Sequence, residues 1–158
     1  RMQKRLAAII LCLGMSSVVH AETLSPREWQ EFEPAWMQTF GRDSVKIIDK
    51  GNTKIYILEK DSSVSANFKI NESGNVTRVN VNYTGGAPVR YIKGVRQTIK
   101  TIFGQNTLAE ELIKRFTQAT PDRDHIIENG VCLEKVNDPQ LGLLFFASYS
   151  PDCPKYTK

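Results

Sequence analysis

The sequence predicts an α+β domain: a mainly antiparallel sheet of about six strands with helices packed on one face, in the order α-ββββ-αα-ββ. Apolar residues recur at spacings of three and four in the stretches 26–40, 89–103 and 107–120. The stretches 45–83 and 131–149 instead carry β-rich runs, several of them alternating apolar with polar residues. Clusters of Gly, Asn and Pro punctuate the boundaries.

The first helix is expected to start at Ser25-Pro-Arg-Glu28, with Ser25 as cap, Pro26 at the first helical position and Glu28 completing a capping box. Trp29, Phe32, Trp36 and Phe40 then form one aromatic stripe, read as core, with Met37 at its edge. Pro34 falls on the opposite face, where it should kink or split the helix. Gly41 is a natural stop.

A four-strand meander follows. Val45–Ile48 and Lys54–Leu58 flank a turn at Asp49-Lys-Gly-Asn52. Both runs are apolar on two faces, which places them mid-sheet or under a helix. Val64, Ala66, Phe68 and Ile70 alternate with polar residues, as do Val79, Val81 and Tyr83, so these strands should have one wet face.

After Gly85-Gly-Ala-Pro88, residues Val89–Phe103 read as a helix with three sectors. At 100° per residue, Tyr91, Ile92, Val95, Ile99, Ile102 and Phe103 share an arc of about 120°. Arg90, Lys93, Arg96 and Lys100 share another, with Gln97 among them. Thr107-Leu-Ala-Glu110 is a second capping box, opening a helix that should bury Leu108, Leu112, Ile113, Phe116 and Ala119. Two strands close the domain, Val131–Val136 and Leu141–Tyr149. The run Leu143-Leu-Phe-Phe146 is apolar on both faces, hence central or helix-covered.

Residues 2–21 have the order of a cleavable signal peptide: basic Lys4 and Arg5, an apolar run from Leu6 to Gly14, then small residues ending at Ala21. The apolar run is about half of the ~20 residues a membrane-spanning helix needs. The expected mature domain is 22–158, in the periplasm or secreted. Everything through Ala21 carries three cations, Arg1, Lys4 and Arg5, and no acid, so of 21 basic residues the mature domain keeps 18 against 17 acids, a net charge of +1. That balance argues against nucleic acid as a partner, which calls for a strong basic excess.

Cleavage also reduces three cysteines to two, Cys132 and Cys153. An even pair in an oxidising compartment reads as a disulfide, contributing about 3 kcal/mol by chain-entropy reasoning. No nucleophile elbow, phosphate-binding loop or dinucleotide fingerprint occurs, so no cofactor is expected. His125 is the one histidine beyond residue 21, beside Asp122 and Asp124 in a stretch read as a polar loop. With no second histidine or free cysteine, a zinc site is not expected.

The feature with most chemical content is the basic stripe Arg90, Lys93, Arg96 and Lys100. Its arc holds no acid, so it lacks the i,i+4 partners of a merely solubilising face. An acidic protein surface would relieve that repulsion. A membrane-lying helix is less favoured, because the apolar arc is needed for the core. In size, export and organisation the chain resembles small bacterial envelope binding proteins, including periplasmic inhibitors and immunity proteins. The expected function is therefore that of an exported, non-enzymatic protein that binds another protein. One alternative is a carrier of lipid or small apolar ligand, using Trp29, Trp36, Tyr91 and Phe103. Another is a small hydrolase centred on His125.

Overall fold

The structure, a computed structural model, describes residues 23–42, 45–51, 53–60, 64–85, 88–149 and 153, with backbone alone at 58–60. The expected signal segment lies outside the described residues. The elements in chain order are β1 (Arg27–Glu28), α1 (Trp29–Phe40), β2 (Val45–Lys50), β3 (Thr53–Lys60), β4 (Val64–Ile70) and β5 (Asn75–Tyr83). Then come α2 (Val89–Phe103), α3 (Thr107–Thr117), β6 (Arg123–Glu128), β7 (Val131–Asp138) and β8 (Gly142–Tyr149). The strands form one antiparallel sheet in the order β2-β3-β4-β5-β8-β7-β6, with β1 paired to β5 off this path. The fold is α+β as expected, with eight strands among the described residues rather than about six.

Alternation divides the sheet into two faces. On β4, Val64, Ala66, Phe68 and Ile70 are buried under the helices, while Ser65, Asn67 and Lys69 face the other way. The register carries the helix-side row across from Phe68 to Val79, Ala147, Leu133 and Ile126. Onto this row α1 lowers its aromatic stripe. The Phe68 ring receives Trp29, Phe32 and Trp36 at centroid distances of 4.8, 5.8 and 4.9 Å. Trp36 is fully buried and also stacks on Phe40. Burying such rings is the largest apolar gain available to the domain. Where α2 crosses α1, Gly94 makes the close approach possible: a Cβ there would meet the Trp36 ring at 2.9 Å.

Strand β8 is central, between β5 and β7, as its doubly apolar run requires. Cys132 on β7 is bonded to Cys153, with Cα atoms 5.6 Å apart. Cys132 alternates with Leu133, so the bridge lies on the face away from the helices. It anchors a residue 21 positions downstream. The disulfide fits an oxidising compartment. No described helix is long and apolar enough to cross a membrane.

Several expectations are corrected. Helix α1 begins at Trp29 and its cap is Glu28, whose backbone N–H donates to Glu31 Oε2 at 3.0 Å. Ser25 and Pro26 precede it because Arg27 and Glu28 are drawn into extended pairing with Val76 and Asn75. Pro34 does not split α1, which runs unbroken to Phe40. Helix α3 is capped by Asn106, whose Oδ1 accepts the Ala109 N–H at 2.9 Å, and not by Thr107. Ala119 lies beyond α3 and is exposed.

Strand β2 is an edge strand, with Ile47 and Ile48 exposed at 58% and 42%. Ile47 lies at the outer end of the helix-side row that runs through Tyr56 to Phe68, while Ile48 points to the face away from the helices, and Val45 packs against the core. The stretch around His125, read as a loop, is the opposite edge strand β6. It joins β7 through Asn129 and Gly130, both at positive φ (48° and 75°), as a two-residue hairpin turn requires.

Candidate functional site

Helix α2 presents its surfaces to three different surroundings. Tyr91, Val95, Ile99, Ile102 and Phe103 enter the core. Thr98 is also buried, its hydroxyl donating back to the Gly94 carbonyl at 2.8 Å. Gly104, at φ 88°, ends the helix and donates its N–H to the Lys100 carbonyl. Ile92, expected on the apolar arc, is at its margin and 38% exposed.

The opposite arc faces α1 across a cleft of about 460 Å³, lined by Gln38, Thr39, Arg90, Lys93, Arg96 and Gln97. Gln97 Nε2 donates to Thr39 Oγ1 at 3.2 Å, tying the two helices together beside the cleft. Thr39 also donates to the Ala35 carbonyl at 3.2 Å. Three of the four stripe cations therefore converge on one concavity whose lining has no acid. Cations along one rim, with amide and hydroxyl groups between them, make a surface suited to carboxylate or phosphate oxygens.

Lys100 stands apart. It faces Glu110 of α3 at 3.7 Å, and Arg96 Nη2 donates to the same carboxylate at 3.3 Å. The stripe is thus not free of acid, as its own arc suggested. The short link from Gly104 to Asn106 folds α3 back along α2 and brings Glu110 alongside. A usable signal was present: Lys100 lies four residues before Gly104, and Glu110 four after Asn106. With Asn106 rather than Thr107 as the cap, Glu110 is not needed in a capping box and is free to face α2. Both pairs are solvent-exposed, so each holds its partners by about 1 kcal/mol or less.

The residues of the His125 group lie on two faces of the sheet edge. Strand alternation sends Asp124 toward the helices and His125 to the other face, where it is exposed and paired in register with Glu134. Asp124 is committed to Arg115 of α3, which donates Nε and Nη2 to its two oxygens at 2.7 and 2.8 Å. That fork holds the Asp124 carboxyl below the usual range. Asp122 Oδ1 accepts from Asn137 Nδ2 at 3.5 Å. Among the described residues no group of three His, Cys, Asp or Glu side chains is arranged to hold a metal ion.

The aromatic residues suggested for an apolar carrier are packed. Trp29, Trp36, Tyr91 and Phe103 all belong to the buried core. The most apolar described cavity instead opens between the start of α2, the end of α3 and strands β7 and β8, and measures about 190 Å³. Lipid-sized ligands call for roughly 300 Å³ or more. Comparison with protein-family models, curated protein sequences and solved structures found no match.

Proposed function

We propose that this chain is an exported, non-enzymatic binding protein that holds an acidic segment of another protein in the cleft between α1 and α2. The convergence of Arg90, Lys93 and Arg96 around one concavity with an uncharged polar floor carries this reading. Lys100 stands outside this cleft, paired with Glu110. A rim richer in cations than acids attracts its partner over about a Debye length, near 8 Å at physiological ionic strength, and so sets association rate and selectivity. The aromatic core beneath holds the cleft in one shape before binding, which lowers the ordering cost of association. Export by residues 2–21, with Glu22 as the first mature residue, belongs to the same reading and accords with the disulfide.

Two measurements test it. A photo-crosslinker at Gln38, in protein exported to the bacterial envelope, should capture a partner through an acidic segment identified by peptide mapping. Reversing Arg90, Lys93 and Arg96 to Glu should abolish that crosslink and leave the thermal midpoint within a few degrees. Capture that survives charge reversal, or adducts mapping to neutral segments, would overturn the reading. N-terminal sequencing of the exported protein should begin at Glu22.

A further inference from the structure

The apolar cavity at the other side of α2 contains a charged group that packing alone does not require. Tyr91 and Ile92 line it from α2, Phe116 and Gln118 from the end of α3, and Leu143 and Lys135 from the sheet. Lys135 is only 5% exposed, although it lies on a strand one position from an edge. Its Nζ donates to the Gln118 carbonyl at 2.6 Å. An ammonium has three donors, and that carbonyl satisfies one. Asp124 and Asp122 act on it through charge. Asp124 is already held in the Arg115 fork, and Asp122 by Asn137. A buried cation in an apolar wall is costly unless its charge is met by an acceptor.

Volume limits what could supply that acceptor. An apolar cavity of about 150 Å³ accommodates a benzene molecule. The space here, about 190 Å³, admits one six-membered ring with a few further atoms and excludes a long acyl chain. We propose that this cavity binds a small aromatic or branched aliphatic monocarboxylate, with the carboxylate on Lys135 Nζ and the hydrocarbon against Tyr91, Phe116 and Leu143. The site is separate from the cation-lined cleft on the α1 side and does not depend on a protein partner.

The test titrates the exported, disulfide-bonded protein with benzoate, phenylacetate and, as neutral matched probe, benzyl alcohol, following the Leu143 and Ile92 methyl resonances. Both acids should shift these methyls saturably at millimolar concentration or below, and bind at least about tenfold more tightly than the alcohol, as a charged hydrogen bond warrants. Lys135→Met keeps the length and apolar stem, and should erase that preference while leaving benzyl alcohol binding within about threefold. Ile92→Trp alters a partly exposed residue at the rim, and should block all three probes with an unchanged amide spectrum elsewhere. If Lys135→Met does not fold, contacts between the benzoate ring protons and the Leu143 methyls in the wild-type protein decide the matter. Benzoate affinity unchanged by Lys135→Met, binding that persists in Ile92→Trp, or no methyl shift at saturating benzoate would each overturn the proposal.

Discussion

Helix α2 stands between two clefts of opposite construction. Toward α1, Arg90, Lys93 and Arg96 line an open cleft, with Gln97 and Thr39 hydrogen-bonded beside them. Toward the end of α3, a smaller and more enclosed cavity is walled by Tyr91, Ile92, Phe116 and Leu143, with the lone cation Lys135 buried among them. In the first, positive charge stays hydrated, so massing several cations costs little. In the second, one desolvated charge is fixed by a carbonyl and acts at short range. One helix serves both because its three sectors differ in chemistry, and the core sector holds the other two in place.

Removing the common support should have the largest effect. Trp36→Ala deletes a fully buried ring beneath the α1–α2 crossing, and should lower unfolding stability by about 3–5 kcal/mol. Urea denaturation reads this directly. A loss under 1 kcal/mol would mean that the crossing does not depend on this ring.

Gly94→Ala separates the two clefts. The added methyl meets Trp36 at 2.9 Å and the Val81 side chain at 3.2 Å, so α2 must shift away from α1. The overpacking should cost about 1–3 kcal/mol, partly offset by better helix propensity. Amide shifts should concentrate at Thr39 and Gln97, with Leu143 little changed. Equal perturbation of both clefts would show that they are mechanically linked.

Alkaline pH probes the apolar side. Burial raises the Tyr91 phenol above its ordinary range, and likewise that of Tyr149 on β8. A raised folded-state pKa gives stability that is complete below the unfolded value of about 10 and declines as pH rises beyond it. Tyr91 and Tyr149 should both resist ionisation until the protein unfolds. Absorbance at 295 nm against pH, with and without urea, measures their number. Ionisation of all five tyrosines near pH 10 in the folded protein would contradict their burial.

The smallest effect belongs to Glu110→Gln. It releases Arg96 and Lys100 from an exposed pairing, so stability should change by less than about 1 kcal/mol. Affinity for an acidic partner should rise about two- to fivefold at low salt, with the gain fading as ionic strength increases. Calorimetry at two salt concentrations checks both points.

Periodicity made much of this legible in advance. The bounds of α2, the aromatic stripe of α1, the four-strand meander and the central place of β8 all follow from which residues must be hidden. The Cys132–Cys153 bridge followed from counting thiols once residues 2–21 were set aside. The edges were misread for a physical reason. An apolar run such as Val45–Ile48 says that a strand forms, while its exposure depends on how far the helices extend over the sheet. Strand β6 is hard to read because Arg123-Asp-His-Ile-Ile-Glu128 is polar enough for a loop, and only the Asn129-Gly130 turn signals its pairing with β7. By itself the sequence determined the α+β class, the basic arc and the thiol pair, because each depends on local spacing or residue count. Only tertiary structure decided that Glu110 faces Arg96 and Lys100, that Asp124 meets Arg115 of α3, and that Lys135 is buried beneath the end of α3. Each of those placements brings together residues on different elements, and local periodicity carries no record of such meetings.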